Sequence, residues 1–268
     1  MLIGLDEKVN LSILHRHLPP QFHSINARVF GETANGSNEN GLYLGLEANP
    51  NKHWNFRAYF DAWRHPWLRS NVDAPSKGLE YFARITHKRK RRSEIYFQIR
   101  NEIKERNAPN NETAIDFLVP VTRTNVRIHI ANKVSKSIEL RSRAEWSFFN
   151  NTVETKERGY LLYQDVIFKS IQYPLSFTTR FALFDTDGWD SRIFAYENDL
   201  LYTFFVPPYY RKGTRFYINL RYRPTRNLTA ELRYERTFIN NEDSFSSGNE
   251  EIIGNVQSAL EAQVRYSF

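Results

Sequence analysis

The sequence ends on QSALEAQVRYSF, in which apolar and polar residues alternate up to the last position. Leu260, Ala262 and Val264 fall on one side of this pattern, whereas Glu261 and Gln263 fall on the other. Successive side chains of a β-strand point in opposite directions, so a period of two residues is that of a strand with one apolar and one polar face. The pattern predicts that the final residues belong to a sheet, although chain ends usually fray.

The same alternation recurs along the whole chain, and no stretch has a persuasive helical period of 3.6 residues. The fold class is therefore predicted to be all-β, with about twelve strands of roughly ten residues, longer than the five or six that are usual in soluble proteins. Tilted strands of about 9–11 residues are what a bilayer-crossing barrel requires. The predicted strands are 8–17, 40–49, 54–62, 77–88, 94–100, 122–133, 138–148, 157–169, 172–184, 215–223, 227–239 and 257–268.

The connections between these strands support the same interpretation. Short turns are predicted near residues 50 and 171 and at 88–92, 133–136 and 224–227, with longer polar connections between them. Transmembrane barrels have short turns on one side and longer loops on the other. We therefore predict an antiparallel up-and-down transmembrane β-barrel with both termini on the short-turn side, either complete or part of a larger barrel. The alternative is a soluble sandwich or lipid-binding barrel with its apolar face turned inward.

The longest predicted connection, 185–212, is expected to be an external loop or hairpin with structure of its own. A loop that folds inward to constrict or plug the lumen is favoured. Asp185 and Asp187 match the first ligands of a calcium loop, but later positions do not match, so no metal site is predicted. The aromatic side chains expected to pack in the lumen are Trp189, Phe194, Tyr196, Tyr202, Phe204 and Phe205.

The polar faces of the predicted strands carry many charges of both signs. An Arg-rich lumen could select anions or phosphorylated solutes. The favoured alternative is a network of Arg–carboxylate pairs that stiffens the wall and fills the interior. The predicted lumen-facing charged residues are Arg57, Asp61, Glu94, Arg100, Glu139, Arg141, Arg143, Glu145, Arg215, Arg221, Glu231, Arg233 and Glu235.

Composition narrows the remaining possibilities. The chain has no Cys, which excludes disulfides and thiolate metal sites, and its net charge of +7 suggests an anionic partner. The basic run HKRKRR (87–92) is interpreted as a solvated hairpin rather than a nucleic-acid patch.

No hydrolase or metalloprotease motif occurs, so the chain is not expected to be an enzyme or to hold a cofactor. The N-terminal MLIGLDEKVNLS lacks signal-peptide features, so a mature or truncated form is expected if the chain is exported.

Several longer phrases point to a particular family: NGLYLGLEANP, DAWRHPWLRSNVDAPSKGLEY, ERGYLLYQDV, RFALFDTDGWDSRIFAYENDLLY and RYRPTRNLTAELRYERTF. Together they resemble the C-terminal outer-membrane barrel of bacterial helix-hairpin-helix (ComEA-like) proteins, over most of the chain. The resemblance implies an outer-membrane location in a Gram-negative bacterium. It also implies that a signal peptide and helix-hairpin-helix repeats precede this portion. It implies no activity and no site residue.

The predicted function is that of an integral outer-membrane protein acting as a channel, transport or docking component. The alternative is a membrane anchor for an upstream periplasmic helix-hairpin-helix domain that binds DNA. The expected partners are the lipid bilayer, lipopolysaccharide and, through the upstream domain, nucleic acid. The end of the chain, with Val264, Tyr266 and Phe268, resembles the signal that the barrel-assembly machinery recognises.

Overall fold

The computed structural model describes residues 1–23, 29–33, 36–90, 92–109, 112–152, 156–240, 242–245, 248 and 251–268. The described part of the chain contains no helix that is long and apolar enough to cross a membrane. The strands are β1 (Leu2–Asp6), β2 (Val9–Leu18), β3 (Glu39–Ala48), β4 (Trp54–His65), β5 (Ser76–Arg89), β6 (Ser93–Asn107), β7 (Leu118–Lys133), β8 (Ile138–Asn151), β9 (Lys156–Lys169), β10 (Leu175–Thr186), β11 (Ile193–Phe194), β12 (Pro208–Tyr209), β13 (Lys212–Tyr222), β14 (Leu228–Ile239), β15 (Ser244–Phe245), β16 (Ile252–Ile253) and β17 (Val256–Tyr266).

Thirteen strands form one sheet and follow each other in chain order, with β13 beside β10 and β17 beside β14. The pairs β11–β12 and β15–β16 are separate two-stranded sheets inside connections. The hairpins with a defined register are antiparallel, as between β9 and β10 or between β13 and β14. The predicted all-β, antiparallel up-and-down arrangement is confirmed.

The sheet has one strand more than the approximately twelve predicted, because Leu2–Asp6 pairs with β2. Five residues are too few to show a convincing alternation in the sequence. Strand β1 runs toward the short turn at residues 7–8 and therefore starts at the long-loop side of the sheet. This differs from the expectation that both termini lie on the short-turn side. One predicted long connection is also short, because β8 and β9 extend to leave only residues 152–155 between them.

The sheet exposes many apolar side chains and buries several charged ones, although Arg236 is an exposed charge on the apolar face of β14. On β14, Leu232 is 40% exposed, whereas Glu231 and Arg233 are each 3% exposed. A soluble sandwich would bury the apolar face, because removing apolar surface from water is worth about 25 cal/mol per Å². The soluble alternative is therefore inconsistent with the structure. Other exposed apolar strand residues are Leu42, Leu44, Leu46, Phe56, Tyr81, Ile85, Phe97, Ile130, Phe148, Leu162, Phe181 and Leu183.

The chain divides into two compact units. The first comprises residues 1–87, 96–126 and 148–157. The second comprises residues 88–95, 127–147 and 158–268, and it contains the long connection between β10 and β13.

Candidate functional site

Residues 187–211, named here the inserted hairpin, leave the sheet after β10 and return to it at β13. Strands β10 and β13 pair directly with each other, so the sheet continues without this segment. The two arms of the hairpin pair with each other through β11 and β12. Its contacts are made with the polar face of the sheet in the second unit.

A small apolar cluster holds the base of the hairpin. Ile193, Ala195 and Tyr209 are each 1% exposed. The Tyr209 ring lies edge-on to Phe184, with 5.4 Å between ring centroids. Burying such side chains is the usual source of docking energy. The whole cluster consists of Leu161, Tyr163, Ala182, Phe184, Ile193, Ala195 and Tyr209.

Gly159 on β9 marks a close approach between the hairpin and the polar face of the sheet, which is here called the wall. A Cβ atom at this position would lie 2.5 Å from the carbonyl oxygen of Ser191, which is a backbone atom and cannot easily move away. Only glycine lets the two backbones come this close. The wall is therefore shaped locally to receive the hairpin.

The expectation that the hairpin aromatics pack in the interior is wrong. Trp189, Phe194, Tyr196, Tyr202, Phe204 and Phe205 are all exposed, from 45% for Phe194 to 89% for Tyr202. The first arm alternates, so Ile193, Ala195 and Glu197 face the wall while Phe194 and Tyr196 face away. The packing side of the first arm is thus aliphatic and acidic rather than aromatic.

Glu197 is the centre of an ionic network on the wall. Its Oε1 accepts hydrogen bonds from Tyr209 Oη at 2.7 Å and Arg215 Nε at 2.8 Å. Its Oε2 accepts from Arg233 Nη2 at 2.6 Å. Glu235 Oε2 lies 2.7 Å from both Arg215 Nη2 and Arg233 Nη2. Glu197 is 1% exposed, so water does not substitute for these partners.

Backbone contacts extend this attachment along the hairpin. Arg180 Nη1 donates to the carbonyl of Tyr196 at 2.9 Å, and its other nitrogens hold Asp165 at 2.6 and 2.8 Å. The Asn198 N–H donates to Tyr217 Oη at 3.1 Å. Further along, Gln263 Nε2 donates to the Leu201 carbonyl at 2.9 Å. The first arm is therefore fixed from its base to its tip.

Acidification is expected to loosen this attachment. Burial opposes ionisation of Glu197, but the hydrogen bond and charge of Arg215 outweigh it and hold the pKa of the carboxyl below its ordinary value. A lowered pKa stabilises the docked hairpin above the ordinary value of about 4.3, and this stabilisation is lost as the pH falls through the docked-state value. Hydrogen–deuterium exchange over residues 196–200, corrected for intrinsic rates, should accelerate below about pH 4. A profile that stays flat down to pH 2 would contradict this assignment.

All the predicted lumen-facing charged residues take part in ion pairs. In the first unit, Asp61 Oδ1 lies 2.8 Å from Arg16, and Arg100 lies 2.6 Å from Glu80. The pairing favours the network interpretation, while the lumen itself stays a prediction. The remaining pairs are Arg57–Glu47, Glu94–Lys88, Arg141–Glu139, Arg143–Glu145, Arg215–Glu197, Arg221–Glu231, Arg233–Glu197 and Glu235–Arg215.

Sequence reasoning missed the docking residues Arg180, Asp165 and Tyr217. Arg180 is the one basic residue in LSFTTRFALF. A single arginine in an otherwise uncharged stretch was the signal from which its role could have been predicted. Its partner depends on the register between β9 and β10, which places Asp165 opposite it.

The predicted assembly-signal residues Val264, Tyr266 and Phe268 are all exposed, and the ring centroids of Tyr266 and Phe268 lie 5.7 Å apart. Among the described residues, no His, Asp and Glu side chains cluster as a metal site.

Comparisons with known proteins give little further information. No family model and no curated protein matches the chain. Among solved structures, it is similar to a FadL homologue of Pseudomonas aeruginosa, at 11% identity and a TM-score of 0.41. That match covers 98% of this chain and 75% of the other. A likeness at this level supports neither a substrate nor an activity.

Proposed function

We propose that this chain forms the wall of an outer-membrane β-barrel in a Gram-negative bacterium and acts as a channel or transport component. The observation that carries the proposal is the inverted burial of the sheet. Leu232 and its neighbours on the apolar face suit contact with lipid, whereas buried pairs such as Arg233–Glu197 suit a polar interior. Alternation of apolar-out and polar-in residues is the arrangement of transmembrane barrels.

The inserted hairpin would narrow the passage through such a barrel. It occupies the polar face of the second unit but leaves cavities of about 450 and 430 Å³ there. Tyr196 and Asn198 of the hairpin line both cavities. A passage bordered by a docked segment with free space beside it suits a restricted, selective channel rather than a sealed anchor.

Conductance measurements test this proposal. The protein would be refolded in detergent and inserted into planar bilayers, together with a variant in which residues 194–207 are replaced by a short Gly-Ser linker. We expect small conductance steps from the natural chain and steps several-fold larger from the variant. Absence of conductance in both proteins, with a folded sheet by circular dichroism, would refute the channel.

The remaining partners follow from the same proposal. The apolar face would contact lipid and lipopolysaccharide, and Val264, Tyr266 and Phe268 would be presented to the barrel-assembly machinery. The anchor for an upstream DNA-binding domain stays a prediction of the family resemblance.

A further inference from the structure

The cavity of about 450 Å³ lies at the short-turn end of the second unit, beside the inserted hairpin. Pockets of roughly 300–1,000 Å³ are typical of small-molecule sites. Seven basic side chains line it, against three carboxylates from Glu94, Glu139 and Asp165. The basic residues are Lys88, Lys90, Arg92, Lys133, Arg141, Arg143 and Arg180.

Each of the three carboxylates is already paired with a lining cation. Lys88 lies 3.0 Å from Glu94, Arg141 lies 2.7 Å from Glu139, and Arg180 lies 2.6 Å from Asp165. Four lining cations are therefore left without a carboxylate of the cavity: Lys90, Arg92, Lys133 and Arg143. In the described part of the chain, no ion pair joins Lys90, Arg92 or Lys133 to an acidic group. The cavity thus has a surplus of positive charge.

Arg143 is the most enclosed of these four cations. Its side chain is 15% exposed, and its buried Nε has no hydrogen-bond partner among the described residues. The nearest carboxylate, Glu145, is 3.8 Å from Nη1. Both oxygens of Glu145 are already held by Arg127, at 2.7 and 2.8 Å. A buried N–H donor that is left unused is costly unless an acceptor reaches it.

A phosphate group matches what these residues lack. It carries roughly −1.5 to −2 charges at neutral pH and three acceptor oxygens. The planar guanidinium of Arg143 can present two parallel donors to such an oxyanion, and the two lysines add point charges. A single carboxylate would neutralise only one of the four cations. The polar face is turned away from the apolar, lipid-suited face, so a soluble anion rather than a lipid headgroup has access.

We propose that this cavity binds phosphate-bearing soluble anions, with Arg143, Lys133 and Arg92 as the principal contacts. The inference rests on the proposed channel in one respect, because it names the class of solute that would pass beside the hairpin. Binding itself requires only the folded second unit.

Equilibrium dialysis with inorganic pyrophosphate tests the site on the refolded chain in a phosphate-free, non-ionic detergent. Two variants remove its cations: the exposed pair Lys133→Gln with Arg92→Gln, and the partly buried Arg143→Gln. Lys136→Gln is the control, because it removes one positive charge from the same turn as Lys133 but does not line the cavity. We expect about tenfold weaker binding for each test variant and unchanged binding for the control.

The outcomes separate this inference from the proposed function. No binding by the natural chain, or equal binding by the double variant and the control, overturns the anion site. The double variant alters exposed residues, so the test holds even where Arg143→Gln fails to fold. Pyrophosphate binding without conductance leaves the site standing and refutes the channel. Conductance without pyrophosphate binding refutes the anion site and leaves the channel standing.

Discussion

Replacing Glu197 with glutamine is expected to release the inserted hairpin from the wall. The carboxylate compensates the charges of Arg215 and Arg233 in a site with 1% exposure. Removing one partner of a buried ion pair costs about 3–5 kcal/mol, because the remaining charges stay desolvated. Glu235 would then face both arginines, and Asp199 would face Arg233 at 3.5 Å. The apolar base around Ile193 would remain, so the tip should detach first.

Two measurements report this release. Hydrogen–deuterium exchange over residues 196–200 should accelerate at neutral pH, and single-channel conductance should approach that of the linker variant. Glu242→Gln is the control, because Glu242 also pairs with an arginine at the hairpin, Arg211, at 2.8 Å. That pair is about one-third exposed on both sides, and such pairs contribute roughly 0–1 kcal/mol. Equal effects of the two changes would refute the central role of Glu197.

Introducing arginine at Leu232 is expected to prevent stable insertion into lipid. Leu232 is the fifth residue of β14 and lies on the exposed apolar face. A charge on the lipid face near the bilayer midplane costs about 2–4 kcal/mol, and this falls to roughly 0–1 kcal/mol at the interface. This cost is a substantial share of the stability of a domain, which is usually about 5–15 kcal/mol.

Leu228→Arg provides a depth control for this change. Leu228 is the first residue of the same strand, and the register of β14 with β17 places it on the same face. The folded fraction of each variant would be followed by heat-modifiable gel migration after refolding into vesicles. We expect near-normal folding of Leu228→Arg and strong loss for Leu232→Arg. A similar loss for both, or for neither, would contradict the membrane orientation of this face.

The faces of most strands could be predicted from the sequence because their two sides differ in polarity. In the segment 157–169 the two sides do not differ in this way, and the structure explains why. In GYLLYQDV, Leu161 and Tyr163 on the polar side of the sheet are as apolar as Tyr160 and Leu162 on the other side. The inner pair is apolar because it packs against the hairpin. Alternation is lost where a second element covers the polar face.

The charged residues of the site could be predicted, but not their connections. Arg215 and Arg233 stand out on their strands, whereas Glu197 lies in a connection whose sequence gives no register. Its position follows from the path of the hairpin, which depends on long-range contacts such as that of Ser191 with Gly159. The exposure of the hairpin aromatics has the same origin. Their side of the arm is decided by Ile193, Ala195 and Glu197.

The alternation within the first arm of the hairpin separates two kinds of constraint on a single short stretch. Residues 193, 195 and 197 anchor the arm to the wall, so changes there carry a large stability penalty. Tyr196 and Asn198 border open space instead, and their side chains make few demands on the fold. If the proposed channel function holds, substitution at these two positions is expected to change the solute preference without loss of the docked state. The hairpin thus combines positions that fix its attachment with positions that tolerate substitution.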